Sequence, residues 1–140
     1  YPLKSIKEIY NPWNKYCFEV KGKVYTLGEI EHKILRKMGE PRIHFAINCA
    51  SESCPRLLNK AYQEKQLEKQ LINATNLFLL DTTKNIISDK HLKLSKIFLW
   101  FGNDFGSKKE RLEFISKYSG LKIDHIKIKY LKYDWSLNEQ

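Results

Sequence analysis

An apolar run that ends in two cysteines constrains this chain more than any other feature: residues 42–55 read Arg-Ile-His-Phe-Ala-Ile-Asn-Cys-Ala-Ser-Glu-Ser-Cys-Pro. Ile43, Phe45, Ala46 and Ile47 follow Pro41 and precede polar residues, a pattern that predicts a short, mostly buried strand. Asn48 and Cys49 then fall where that strand leaves the sheet. Cys54 precedes Pro55, and proline is favoured at the first helical position, so Ser53 or Cys54 is expected to cap a short helix through Leu58. A thiol at a helix N-terminus feels the positive end of the dipole, which favours the thiolate.

Two readings of these cysteines stand side by side. In one, Cys49 or Cys54 is a nucleophile activated by a nearby histidine, which needs a base and partial exposure. In the other, both are small buried apolar side chains or form a structural disulfide across the loop. Cys17 lies in a separate hairpin pattern and is read as packing. Three cysteines leave at least one unpaired, and a lone C-x4-C pair is no zinc motif, so no metal is assigned.

Around this segment, local signals place the elements. Residues 16–25 alternate about Lys21-Gly22 as a β-hairpin. Thr26 and Glu29 have capping-box spacing, so a helix starts at Leu27 and stops by Gly39. Its apolar stripe is Leu27, Ile30, Ile34, Leu35 and Met38, and Glu31 falls inside it with His32 to one side. A carboxylate facing a core needs a partner: an ion pair with Arg36 or Arg42, or a buried polar site shared with residues 42–55.

Residues 60–80 have the period of a long helix with Leu67, Leu71, Ala74 and Phe78 on one face. Residues 85–88 and 91–94 flank Asp89-Lys90 as a second hairpin, and Ser95 caps a short helix carrying Ile97, Phe98, Trp100 and Phe101. Ser107 and Glu110 form another capping box, with Gly120 closing that helix, and Ile126, Ile128 and Tyr130 alternate as a last strand. Strands and helices mix without a βαβ repeat, which predicts an α+β fold with a small antiparallel sheet and packed helices. Trp100, Trp135 and their aromatic neighbours are read as core.

With 140 residues, 42% of them hydrophobic, the chain can bury one core and has no room for a second domain. No apolar stretch reaches the roughly 18 residues of a membrane span. The chain begins at Tyr1 rather than methionine, which suggests a processed or trimmed product and leaves its compartment open. The net charge is +9, but the lysines are spread over every element, so nucleic-acid binding is not expected and an acidic ligand or protein partner is the alternative to chemistry.

Five ordered segments resemble a known family, the domain of unknown function numbered 547. They are residues 30–36 (I-E-H-K-I-L-R), 41–49 (P-R-I-H-F-A-I-N-C), 53–55 (S-C-P), 94–98 (L-S-K-I-F) with Trp100 and Asp104-Phe105, and 133–138 (Y-D-W-S-L-N). The resemblance implies a papain-like or transglutaminase-like architecture in broad outline, and it points to Glu31, His32, His44, Cys49 and Cys54 as the site. It also implies glutathione as a possible ligand. Asp104 and Asp134 match family positions and are read as capping or backbone-bonding residues. His91 and His125 match no family motif and are read as surface residues. Members usually carry an upstream helix with a W-I-N-x-Y-N-A pattern. Residues 1–140 are therefore expected to be a single domain truncated at its N-terminus relative to the family, with an apolar surface that could drive self-association.

The leading functional expectation is a thiol-dependent enzyme, either a hydrolase or acyl transferase, or a glutathione-linked redox enzyme acting on a small thiol or peptide-like substrate. Cys49 would be the nucleophile, His44 or His32 its base, Glu31 the group that steadies the imidazolium, and Cys54 a resolving thiol in the redox version. Strand alternation would put His44 and Cys49 on opposite faces, which favours His32 as the base. The alternative is a non-catalytic binding module in which Glu31 and His32 form a buried polar network.

Overall fold

The computed structural model describes residues 3–88, 90–123 and 126–138. Its first regular element is the antiparallel hairpin β1 (Tyr16–Val20) and β2 (Lys23–Thr26). Lys21 and Gly22 both take positive φ, at 50° and 76°. That is the mirror-image turn whose twist matches paired strands, and glycine enters it without a Cβ penalty. Tyr16, Phe18 and Val20 remain exposed, so the hairpin stands off the core. Cys17 is free and exposed rather than packed, with its Sγ 3.2 Å from the Tyr25 carbonyl.

The capping box forms as expected: the Thr26 hydroxyl accepts from the Glu29 N–H and the Glu29 carboxylate accepts from the Thr26 N–H. The helical path that follows is irregular. After α1 (Leu27–Glu29) it widens to a π-helix over Ile30–Leu35, tightens to a 3₁₀ turn over Arg36–Met38, and stops at Gly39 in the left-handed region. π-helical turns inside α-helices are uncommon and concentrate at functional sites. This one carries Glu31 and His32.

Residues 42–47 are not a strand. Pro41–Phe45 is a 3₁₀ turn, capped where the Glu40 carboxylate accepts from the Arg42 N–H. Arg42, Ile43, His44 and Phe45 are all buried, and four consecutive buried residues cannot belong to a strand with one wet face. Arg42 tolerates burial because Glu40 and Glu68 both pair with its guanidinium, at 2.6 and 2.7 Å. Residues 53–58 contain no helix either.

The core packs α2 (Leu67–Leu80), the short α3 (Ile97–Trp100) and α4 (Lys108–Ser119) around Phe45, Phe78, Phe98 and Phe105. The face of α2 is Leu71, Ala74, Thr75, Phe78 and Leu79, while Leu67 at its start stays exposed. Buried Asn85 joins three elements: its amide donates to the Phe78 carbonyl and its oxygen accepts from the Ser95 N–H. The second hairpin, β3 (Ile86–Ile87) and β4 (Leu92–Leu94), is antiparallel; Asp89 at its turn lies outside the described residues. Strand β5 (Ile128–Tyr130) then joins β4 in parallel. The fold is α+β with a small antiparallel sheet extended by one parallel strand. Among the described residues, no helix is long and apolar enough to cross a membrane.

Candidate functional site

Glu31 and His32 from the π-helical turn, His44 from the 3₁₀ turn, and Cys49 and Cys54 from the loop after it all line one cavity of about 540 Å³. That volume suits a small organic ligand. The strand-alternation argument for His32 fails with the strand, since both histidines reach the cavity. They differ in exposure: the His32 side chain is 53% exposed and that of His44 only 1%.

Cys49 and Cys54 form a disulfide with their Cα atoms 6.1 Å apart, inside the roughly 7 Å that a bridge tolerates. The loop is shaped for it. Asn48 donates to the Pro55 carbonyl and accepts from the Ala50 N–H. These contacts hold Ala50 at φ 59°, a conformation that a non-glycine residue adopts only when its surroundings impose it. Cys49 is half-buried and Cys54 is buried. The Cys49 N–H donates to Cys54 Sγ at 2.9 Å, and the Ser51 and Tyr133 hydroxyls each stand 3.3 Å from that sulfur. Burial pushes the Tyr133 phenol above its ordinary pKa, which keeps it a proton donor.

His44 is held from two directions. Its ring stacks on Phe101 with centroids 4.3 Å apart, and its Nε2 lies 2.8 Å from Asp104 Oδ2. Asp104 also accepts two hydrogen bonds from Arg36, at 2.6 and 2.8 Å. The Arg36 guanidinium holds the Asp104 carboxyl down to about 2, so Asp104 is an anion that accepts a hydrogen bond from the Nε2–H of His44. Nδ1 of the neutral ring is then the bare acceptor, and it is buried without a hydrogen-bond partner. Burial pushes His44 below its ordinary pKa despite Asp104, so the ring is neutral near pH 7. Arg36 Nη1 further stands 3.3 Å from His32 Nδ1, which lies 3.9 Å from Glu31. Arg36 thus donates to both His32 and Asp104, linking the two cavity-lining histidines through groups behind the wall.

Several expectations change on this geometry. Asp104 is no cap; it joins Arg36 to His44. Glu31 forms an ion pair with neither Arg36 nor Arg42 among the described residues; its carboxylate lies 3.9 Å from His32 Nδ1. Asp134 does bond locally, accepting from the Ser136 N–H and hydroxyl. His91 is exposed, and His125 lies outside the described residues. The aromatic residues read as core are in part cavity wall: Trp13, Trp100 and Trp135, all the tryptophans of the chain, line it. Ser51 gave no signal in the sequence, and Asp104, although it matches a family position, gave none of its role, because their partners lie up to 82 residues away.

A family model described as "Protein of unknown function, DUF547" matches residues 3–79, a span holding the two cysteines, His32, His44 and Glu31 but not Asp104, Trp100, Tyr133 or Trp135. No curated protein and no solved structure matches the chain.

Proposed function

The chain belongs to the DUF547 family of proteins of unknown function, and on that premise we propose that it is a thiol-dependent enzyme whose working group is the Cys49–Cys54 pair, cycling between dithiol and disulfide. The observation that carries this reading is the place of the bridge. Both cysteines line a ligand-sized cavity, and Cys49 is the more exposed of the two. A substrate thiolate attacks Cys49 Sγ, a substrate–Cys49 disulfide forms, the Cys49–Cys54 bond breaks, and its electron pair leaves on Cys54. The Cys49 N–H and the hydroxyls of Ser51 and Tyr133 are placed to receive that negative charge. A second substrate thiolate then attacks the substrate sulfur, releasing a substrate disulfide and the Cys49 thiolate, so two electrons pass from two thiols to the pair. In reverse, reduced Cys49 attacks a substrate disulfide and Cys54 resolves the mixed product.

A second reading, acyl or amide transfer at reduced Cys49, is favoured by His44, a residue lining the same cavity, whose tautomer Asp104 fixes with Nδ1 as the acceptor. One experiment addresses both. The reduced protein is labelled with iodoacetamide, cysteine by cysteine, beside His44→Gln and His32→Gln. Cys49 is expected to label faster at pH 7 than in the unfolded chain, and only His44→Gln should slow it. Cys54→Ser should trap a mixed disulfide, ending exchange, whereas it would leave acyl transfer intact. Slow labelling of both cysteines in the folded protein would overturn both readings in favour of a binding module.

A further inference from the structure

We propose that the cavity selects a substrate built of an apolar body and an ammonium group, with Glu31 as its counter-charge. This inference rests on reading the cavity as the substrate site of the Cys49–Cys54 pair, and it names the class of molecule that site admits.

The lining is the starting point. In a chain where 25 of 140 residues are Lys or Arg, none of them lines this cavity. Its walls are tryptophans, Phe101, Tyr133, aliphatic side chains, the two cysteines, Asn48 and the two histidines, and its single acidic residue among the described residues is Glu31. The Glu31 side chain is only 19% exposed, yet no hydrogen bond to its carboxylate is made among the described residues; His32 Nδ1 lies 3.9 Å from it. Of the other charges nearby, the Arg36 guanidinium is joined at two points to Asp104, and the Lys7 ammonium stands 4.1 Å from the centroid of the Trp135 ring. Among the described residues Glu31 is therefore an acidic group of the cavity that no lysine or arginine pairs with directly, in surroundings where a charge interacts more strongly than in water.

An anion entering the cavity meets Glu31 with no lysine or arginine to hold it. A compound with free carboxylates, glutathione among them, is excluded on this ground. A cation gains Glu31, and the indoles of Trp100 and Trp135, whose centroids stand 5.6 Å apart, favour an ammonium as well as an apolar body, as the Lys7 ammonium 4.1 Å from the Trp135 centroid illustrates. Glu31 is thus a specificity residue rather than a catalytic one.

Because every tryptophan lines the cavity, intrinsic fluorescence reports binding there directly. The oxidised protein is titrated with 4-phenylbutylamine, 4-phenylbutanol and 4-phenylbutyrate, which share one apolar body and differ in charge. The amine should bind roughly tenfold more tightly than the alcohol, a difference of about 1.4 kcal/mol, and the acid most weakly. Glu31→Gln should remove the preference for the amine while leaving the alcohol unchanged. Equal binding of the three, tighter binding of the acid, or no binding at all overturns the inference, as does a preference that survives Glu31→Gln. These titrations need no thiol chemistry. Failure of Cys49 labelling would therefore overturn the redox reading separately, and failure of the charge preference would leave labelling untouched.

Discussion

Asp104 carries two jobs on one carboxylate, and its protonation exposes both. Its folded pKa is held near 2 against an ordinary 3.8, chiefly by Arg36. A depressed carboxylate contributes stability above its unfolded pKa and loses it as the pH falls through the folded one. Asp104→Asn should therefore destabilise by about 1–2 kcal/mol at pH 6, the full shift being reduced by solvent screening of a half-exposed pair. The deficit should shrink below pH 4 and vanish only below pH 2, where the wild-type side chain is itself neutral; urea midpoints across that range measure it. Burial lowers His44 as well, so wild-type stability should already decline as the pH drops below about 6.5, before Asp104 titrates. Tyr133 makes a kinetic prediction at the same scale. Tyr133→Phe removes one donor facing Cys54 while keeping the ring packed against Trp100 and Trp135. If that hydroxyl steadies the leaving thiolate, disulfide exchange should slow roughly tenfold with folding intact, in line with the worth of a hydrogen bond to a charged group. Unchanged exchange would remove Tyr133 from the mechanism.

At the scale of elements, what was legible in the sequence was what neighbouring residues decide among themselves. Both hairpins, the Thr26 and Ser107 capping boxes and the closing glycines Gly39 and Gly120 all appear where the sequence places them. The segment 41–47 was not legible, because a run of four apolar residues is as compatible with a buried turn as with a strand. Glu40 decides the matter by capping Arg42, and burial on every side hides the periodicity. The site divides in the same way. Glu31, His32, His44, Cys49 and Cys54 stand in motifs that suggest chemistry, whereas Asp104, which also matches a family position, meets Arg36 across 68 residues, so its pairing leaves no local trace. The helical path 27–38 is the element on which most of the site hangs, and its regular part is three residues long. Thr26→Ala should cost about 1 kcal/mol of stability, typical of a lost cap. Because α1 feeds directly into the π-helical turn, the amide protons of residues 28–32 should lose more exchange protection than those of α2. Uniform loss across both would show that the cap acts on the whole fold rather than on this path.

Across the whole molecule, the cysteine loop is held by the two ends of the chain. Ser51 bridges to Leu137, and Ser5 to Ser136. The Glu52 and Ser53 N–H groups donate to the Ser136 and Asp134 carbonyls, the Ser53 hydroxyl accepts from the Asp134 N–H, and the Ser5 hydroxyl donates to the Trp135 carbonyl. The segment that carries Tyr133 and Trp135 thus fixes the loop independently of the disulfide. A pair that works by opening needs this, since its reduced form must keep the cavity. A bridge spanning only 5 residues restricts the unfolded chain modestly, so reduction should cost about 2 kcal/mol. For a chain of this length the melting temperature should fall by roughly 5–10 °C, with unchanged far-ultraviolet circular dichroism and unchanged tryptophan emission at 25 °C. Retained structure after reduction is the condition under which Cys49 and Cys54 can exchange electrons with a substrate. Collapse of tryptophan emission on reduction would instead make the bridge a staple of the fold, and the redox reading would fall with it.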